Sequence, residues 1–247
     1  MALAAASGLW GAGPAIGQAS IPANIAAAVA DSARPQEDRD RDAARKPAEV
    51  LTFIGVKPGQ RVVDLIPGGG YFTRLFSVAV GPRGKVYAFI PTEMAKFAKT
   101  PLPASGSSPD AAHPNVVYLV APINQFAIPA TVDIVWTSQN YHDLHDPFMG
   151  PADIPGFNAA VIKALKPGGE FIVLDHVAPE RSGLASTNTT HRIDPAVVKQ
   201  EVTAAGFVFE GESSVLRNPA DPHTALVFDK SIRGHTDQFI YKFRKPG

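Results

Sequence analysis

The segment Val62-Val63-Asp64-Leu65-Ile66-Pro67-Gly68-Gly69-Gly70-Tyr71 constrains this chain more than any other. An apolar run of strand character breaks into three glycines and then into a helical pattern. A strand that ends in glycines ahead of a helix lets backbone approach a bound nucleoside closely and aims the helix N-terminus at it. The spacing of Phe72, Leu75, Phe76 and Ala79 predicts that helix, and Gly81-Pro82-Arg83-Gly84 stops it before a second strand over 85–90.

The same alternation continues along the chain. A helix over 47–54 starts on Pro47 and ends at Gly55, and short apolar strands are expected at 116–120 and 132–136. Residues 100–114, rich in Pro, Ser and Gly, read as an exposed loop. After a helix near 157–165, Lys166-Pro167-Gly168-Gly169 forces a turn into a strand at 171–175. Asp194-Pro195 caps a helix that closes on Gly206, and strands at 207–210 and 225–228 would finish the chain as an antiparallel pair at a sheet edge. The fold class is therefore α/β: a mostly parallel sheet with helices on both faces. Its ligands sit beyond the carboxyl ends of the strands, where 64–71, 90–93, 137–146 and 175–177 fall.

With 247 residues, 45% of them hydrophobic and 19% charged, the chain can bury one sizeable core. We divide it into a single domain over 31–247 and an N-terminal arm over 1–30, since Asp31 is the first charged side chain. Within the arm, Gly17-Gln18-Ala19 has the small-x-small form of a signal-peptidase site, yet no Lys or Arg precedes the apolar part. The arm reads equally as a signal remnant, making the protein exported or periplasmic, or as a disordered or packing N-terminal segment of a cytoplasmic one. No integral membrane segment is expected, because the apolar stretch at 3–10 is short and broken by glycine. Acidic and basic residues balance at 23 each, which argues against nucleic acid as a partner. Cysteine is absent, so disulfides, thiolate metal sites and cysteine nucleophiles are excluded.

This order of elements, with Val63-Asp64-Leu65 leading into Pro67-Gly68-Gly69-Gly70-Tyr71 and Leu165-Lys166-Pro167-Gly168-Gly169 ahead of a strand, resembles the class I S-adenosylmethionine-dependent methyltransferases. More narrowly, it is similar to a group of bacterial methyltransferases that share the segments at 45–51, 68–71, 141–143, 191–195 and 233–239. The resemblance implies a Rossmann-like, seven-stranded fold and methyl transfer from S-adenosylmethionine to a small-molecule acceptor; a homodimer is compatible with it. It further implies that Asp64, Pro67 and the Gly68, Gly69 and Gly70 backbone hold the methionine part of the cofactor, with Tyr71 packed beside it. Two departures stand out. Phe89-Ile90-Pro91-Thr92 occupies the place of the acid that accepts the ribose hydroxyls, leaving Glu93 as the nearest carboxylate, and Ala121-Pro122-Ile123-Asn124 follows the third strand where an acid often meets the adenine amino group, with Asn124 as its replacement. Losing a charged acceptor costs roughly 1 to 3 kcal/mol. An exported protein that keeps the fold but serves as a lyase, hydrolase or ligand-binding module is the chief alternative. A nicotinamide oxidoreductase matches the Lys-Pro-Gly-Gly turn and terminal strand pair less well.

Methyl transfer often needs a general base near the acceptor. His142 in Tyr141-His142-Asp143-Leu144-His145-Asp146 is the first choice, its neutral imidazole oriented by Asp143 or Asp175; a loop-bridging hydrogen-bond role for His142 and His145 weighs equally. His176 and His191 fall in neighbouring loops and complete the catalytic set. Histidines with carboxylates would suit zinc, iron or manganese. The histidines come from separate loops without close ligand spacing, so no metal is assigned and a hydrogen-bond network is expected. Arg192 reads as a loop-pinning partner of Asp194 or Asp221, with a substrate carboxylate as the alternative. Trp136 and Tyr141 read as core or rim packing ahead of substrate stacking. Residues 233–245, with Phe239, Ile240, Tyr241 and Phe243 interleaved among polar groups, suggest a segment folded back over the cleft.

Overall fold

The computed structural model describes residues 20–109, 111–150 and 152–247. Gly17-Gln18-Ala19 thus lies outside the described residues.

In chain order the elements are helices α1 (Ala23–Ala30), α2 (Gln36–Arg39), α3 (Asp42–Arg45) and α4 (Pro47–Ile54), strand β1 (Arg61–Leu65), α5 (Tyr71–Val80), β2 (Lys85–Pro91), β3 (Val116–Ala121) and β4 (Val132–Ser138). Then come α6 (Ile154–Ala164), β5 (Leu165–His176), α7 (Thr187–Thr190), α8 (Pro195–Ala204), β6 (Val208–Ser213) and β7 (Gln238–Arg244). The seven strands form one sheet in the order β3-β2-β1-β4-β5-β7-β6. Strands β1 to β5 pair in parallel, and β7 runs antiparallel between β5 and β6. The Rossmann-like architecture implied by the resemblance is borne out.

Side chains along β1 and β4 alternate between two cores, as strand geometry requires. Val62, Ile134 and Trp136 face Ile25, Leu51, Leu75 and Phe76 from α1, α4 and α5. Val63, Val135 and Phe171 face Phe157, Val161, Val198 and Val202 from α6 and α8. Pro195 at the first turn and the Asp194 carboxylate, which accepts from the Ala196 amide at 2.9 Å, start α8 where the sequence predicts. After β3 the chain crosses back to β4 on the other side of β1, so a crevice opens between the carboxyl ends of β1 and β4.

Four expectations differ from what the chain does. Residues 225–228 are not a strand; the partner of β6 is β7, whose Phe239, Ile240, Tyr241 and Phe243 are all buried. A strand inserted inside a sheet must be long enough to pair with both neighbours, which the seven residues of Gln238–Arg244 are and the four-residue apolar run before Asp229 is not. Of the segment expected to fold back over the cleft, Gln238–Arg244 is part of the sheet, while Arg233, Gly234 and Thr236 line a hollow with Arg45, Gln139 and His176. Lys166–Gly169 is not a turn between elements: β5 is continuous from Leu165, and the extra residues bulge where Val132 pairs Leu165 but Ile134 pairs Glu170. Finally, Ala23–Ala30, assigned to the arm, is a helix with Ile25 and Ala28 fully buried, anchored by the Asn24 side chain on the Val56 and Ala79 carbonyls.

Candidate active site

A cavity of about 440 Å³ occupies the crevice between β1 and β4. Its floor is the loop after β1, where Gly68 and Gly70 take φ of +55° and +79° and the Gly70 amide donates to the Pro67 carbonyl at 2.9 Å. A Cβ on Gly68 or Gly69 would meet nothing within 4 Å, so open space lies directly over the loop. Ile66 sits at φ +53°, which is uncommon for a β-branched residue and needs outside support. Its amide donates to the Phe89 carbonyl at 2.9 Å and its own carbonyl accepts from Asn140 Nδ2 at 3.1 Å, tying the loop to the end of β4.

Opposite charges face each other across this loop. Asp64 is buried and accepts from the Thr73 hydroxyl at 2.6 Å; burial pushes its carboxyl up to about 7 against the opposing pull of Thr73, Arg45 and Arg74. Arg45, brought in by α3, has its pKa lowered by burial and by neighbouring Arg41. It packs over the Tyr71 ring at 4.7 Å and reaches Gln139 Oε1 at 3.3 Å, and it makes no ion pair among the described residues. The charge-dense segment before α4 is held there by Asp42, which accepts from buried Arg34 at 2.6 and 2.9 Å and from the Tyr71 hydroxyl at 2.6 Å. A carboxylate and a largely buried, unpaired guanidinium flanking an open glycine loop fit the ammonium and carboxylate of an amino-acid group.

Beside the main cavity lies an apolar recess of about 320 Å³, which shares Ile66, Pro67, Met94 and Phe97 with it and adds Ile90 and Tyr118. Glu93 does not line either space: its carboxylate accepts from the Ile123 amide at 3.1 Å. Asn124 is exposed, and its Oδ1 accepts from the Asp153 amide at 2.9 Å. Both serve local loop geometry here.

At the far end of the main cavity the histidines gather. His142 donates from Nδ1 to Asp175 Oδ1 at 2.8 Å, its Nε2 lies 3.2 Å from Asp143 Oδ1, and His191 Nδ1 is 3.4 Å away. Burial opposes the charge on His142, but Asp175 and Asp143 outweigh it and hold the imidazole up at about 10. The imidazole of His142 is therefore protonated near neutral pH, which corrects the expectation of a neutral ring ready to take a proton. His176 is the opposite case: burial drops it to about 3, and its Nδ1 shares a 2.7 Å hydrogen bond with Thr236. His145 turns away to Glu201 at 3.2 Å.

All five residues expected to be catalytic thus converge, though they come from β5 and two loops. His191 is placed by its neighbour Arg192, a fully buried guanidinium bidentate on Asp221 at 2.8 and 3.1 Å that also donates to the Val177 and Ala225 carbonyls. Trp136 and Tyr141 are fully buried core residues. Arg45, Gln139, Asn140 and Thr73 were missed as site residues. Arg45 alone carried a signal, as the first residue of the shared segment before α4.

No family model matches the chain. Over 198 residues it is 31% identical to the ubiquinone/menaquinone biosynthesis C-methyltransferase UbiE of Pseudomonas paraeruginosa, covering 78% of this chain and 65% of that protein. The protein of the same name from Teredinibacter turnerae is 30% identical over 195 residues, 78% of this chain and 67% of its own length. The chain spans 65% of the length of the Ectopseudomonas mendocina relative, which bears the same name at 29% identity. A SAM dependent methyltransferase from Aquifex aeolicus shares the fold, with a TM-score of 0.55 and 20% identity over 86% of this chain and 98% of its own.

Proposed function

Since the chain belongs to the class I S-adenosylmethionine-dependent methyltransferases, we propose that it methylates a small-molecule acceptor held at the histidine end of its cavity. The observation that carries this reading is the Asp64 and Arg45 pair across the open glycine loop, charged to receive the methionine end of the cofactor. S-adenosylmethionine would supply an electrophilic methyl group. Asp64 would bind its ammonium, Arg45 its carboxylate, and the recess between Ile90, Phe97 and Tyr118 its adenosine. Among the described residues no acid lines that recess, which leaves the methionine end as the main anchor.

The histidine cluster would take the acceptor. A protonated His142 donates, so it suits an acceptor oxygen that carries or develops negative charge, as a phenol or enol does when methylated on oxygen or on the adjacent carbon. Asp175 positions that ring, and His176, held neutral, lines the wall. Phe97, Phe148 and Phe228 at the mouth suit a planar ring, in keeping with relatives named for C-methylation in quinone biosynthesis. The retained charge pair weighs against a fold that has abandoned the cofactor.

Calorimetric titration with S-adenosylmethionine and S-adenosylhomocysteine tests the reading. Gly69 has ordinary backbone angles and open space beside it, so Gly69→Val should fold normally and project two methyls into the cradle. Micromolar binding by the natural protein, weakened at least about 100-fold in the variant, is expected. No heat with either ligand would sink the reading.

A further inference from the structure

We propose that His142, Asp143 and His191 form a binding site for one first-row divalent transition-metal ion, with an open coordination position facing the cavity. The ion would take the place of the proton on His142 Nε2, so metal and protonated ring are alternative ways of meeting the acceptor oxygen; the inference rests on the methyl-transfer reading only for that role.

Three observations carry it. The ligand atoms already stand at coordinating separations: His142 Nε2 to Asp143 Oδ1 is 3.2 Å, His142 Nε2 to His191 Nδ1 is 3.4 Å, and His191 Nδ1 to Asp143 Oδ1 is 3.9 Å. An ion about 2.1 Å from each ligand requires separations of about 3.0 Å for octahedral neighbours and about 3.4 Å for tetrahedral ones. The far ring nitrogen of His142 is held by the Asp175 carboxylate at 2.8 Å, an outer-sphere arrangement that fixes which nitrogen is free and which way it points. Beside the three lies Asp146, 1% exposed, whose oxygens have no well-formed hydrogen-bond partner among the described residues, the neighbouring Thr187 hydroxyl notwithstanding. A buried carboxylate left over next to two histidines marks a place short of positive charge.

Two imidazoles and one carboxylate select the ion. Such a set suits zinc, iron(II), cobalt(II) or manganese(II) and disfavours magnesium and calcium, which want oxygen throughout. Three protein ligands leave at least one position vacant. All three residues line the cavity wall, so that position is open to an acceptor.

The test uses the untagged full chain, stripped with chelator and titrated with Zn²⁺ and with Co²⁺. One equivalent of Zn²⁺ should bind at micromolar strength or better in the presence of millimolar Mg²⁺, and Co²⁺ should show the visible absorption of a four- or five-coordinate site. His191 occupies the left-handed region at φ 55°, so His191→Asn keeps a residue that tolerates it. His191→Asn and Asp143→Asn should each weaken Zn²⁺ at least about 100-fold, and Asp175→Asn about 10- to 100-fold. S-adenosylmethionine affinity should hold in His191→Asn, which also reports that the variant is folded. Absence of stoichiometric Zn²⁺ binding at 100 μM, or binding undiminished in both ligand variants, would overturn the proposal. Zn²⁺ binding without S-adenosylmethionine binding would leave the ion site standing and remove the methyl-transfer reading.

Discussion

Asp175 grips His142 at two points: Oδ1 accepts from the ring Nδ1 at 2.8 Å and Oδ2 accepts from the backbone amide at 2.8 Å. The carboxylate is fully buried at the end of β5 and also accepts from the His176 amide at 2.7 Å. One side chain therefore sets both the position of the loop after β4 and the rotation of its histidine.

Asp175→Asn keeps the volume but cannot accept on both sides. We expect stability to fall by about 2 kcal/mol in urea unfolding, in the range for hydrogen bonds to charged groups. Methyl-transfer turnover should drop while S-adenosylmethionine affinity stays, a split that a purely structural role would not produce.

Asp64 gives a pH signature. Its folded-state pKa of about 7 lies above the ordinary carboxyl value of 3.8, so the native state holds an extra proton between those values and stability declines as pH rises through that window. Cofactor binding runs the other way, because an ammonium pairs only with the ionised carboxylate. S-adenosylmethionine affinity should rise about tenfold from pH 6 to pH 8, as the ionised fraction does. Asp64→Asn should bind weakly at every pH in this range and melt at a higher temperature than the natural protein at pH 8. A flat affinity profile in the natural protein would contradict the role.

Arg45→Met replaces an unpaired, largely buried cation with an apolar chain of similar reach. Affinity for S-adenosylmethionine should fall more than about tenfold, and affinity for its decarboxylated analogue should be unaffected. Equal losses for both ligands would mean that Arg45 shapes the pocket and does not read the carboxylate.

Asp221→Ala strands the Arg192 guanidinium in the core and frees the Asp237 and His223 amides that Asp221 also accepts from. Breaking a buried pair by removing one partner costs about 3 to 5 kcal/mol. Because Arg192 fixes the loop that carries His191, any folded fraction should show a raised KM for the acceptor; an unchanged melting temperature would refute the packing argument.

The segment from Val62 to Tyr71, helix α8 and strands β1 to β4 were legible in the chain because their signals are local: glycine where backbone must turn, proline and aspartate at a helix start, apolar residues at a fixed period. A loop-pinning role for Arg192 was legible too, but with Asp194 and Asp221 both open as partners; the fold chose Asp221. The tertiary structure alone decided the rest. Whether Gln238–Arg244 or residues 225–228 would pair with β6 depended on which was long enough to pair on both sides between two strands. His142 and His191 are 49 positions apart and meet because β5, α7 and the Arg192 anchor place them together. The protonation of His142 and the elevated carboxyl of Asp64 arise from burial beside particular charges, which no spacing in the chain encodes.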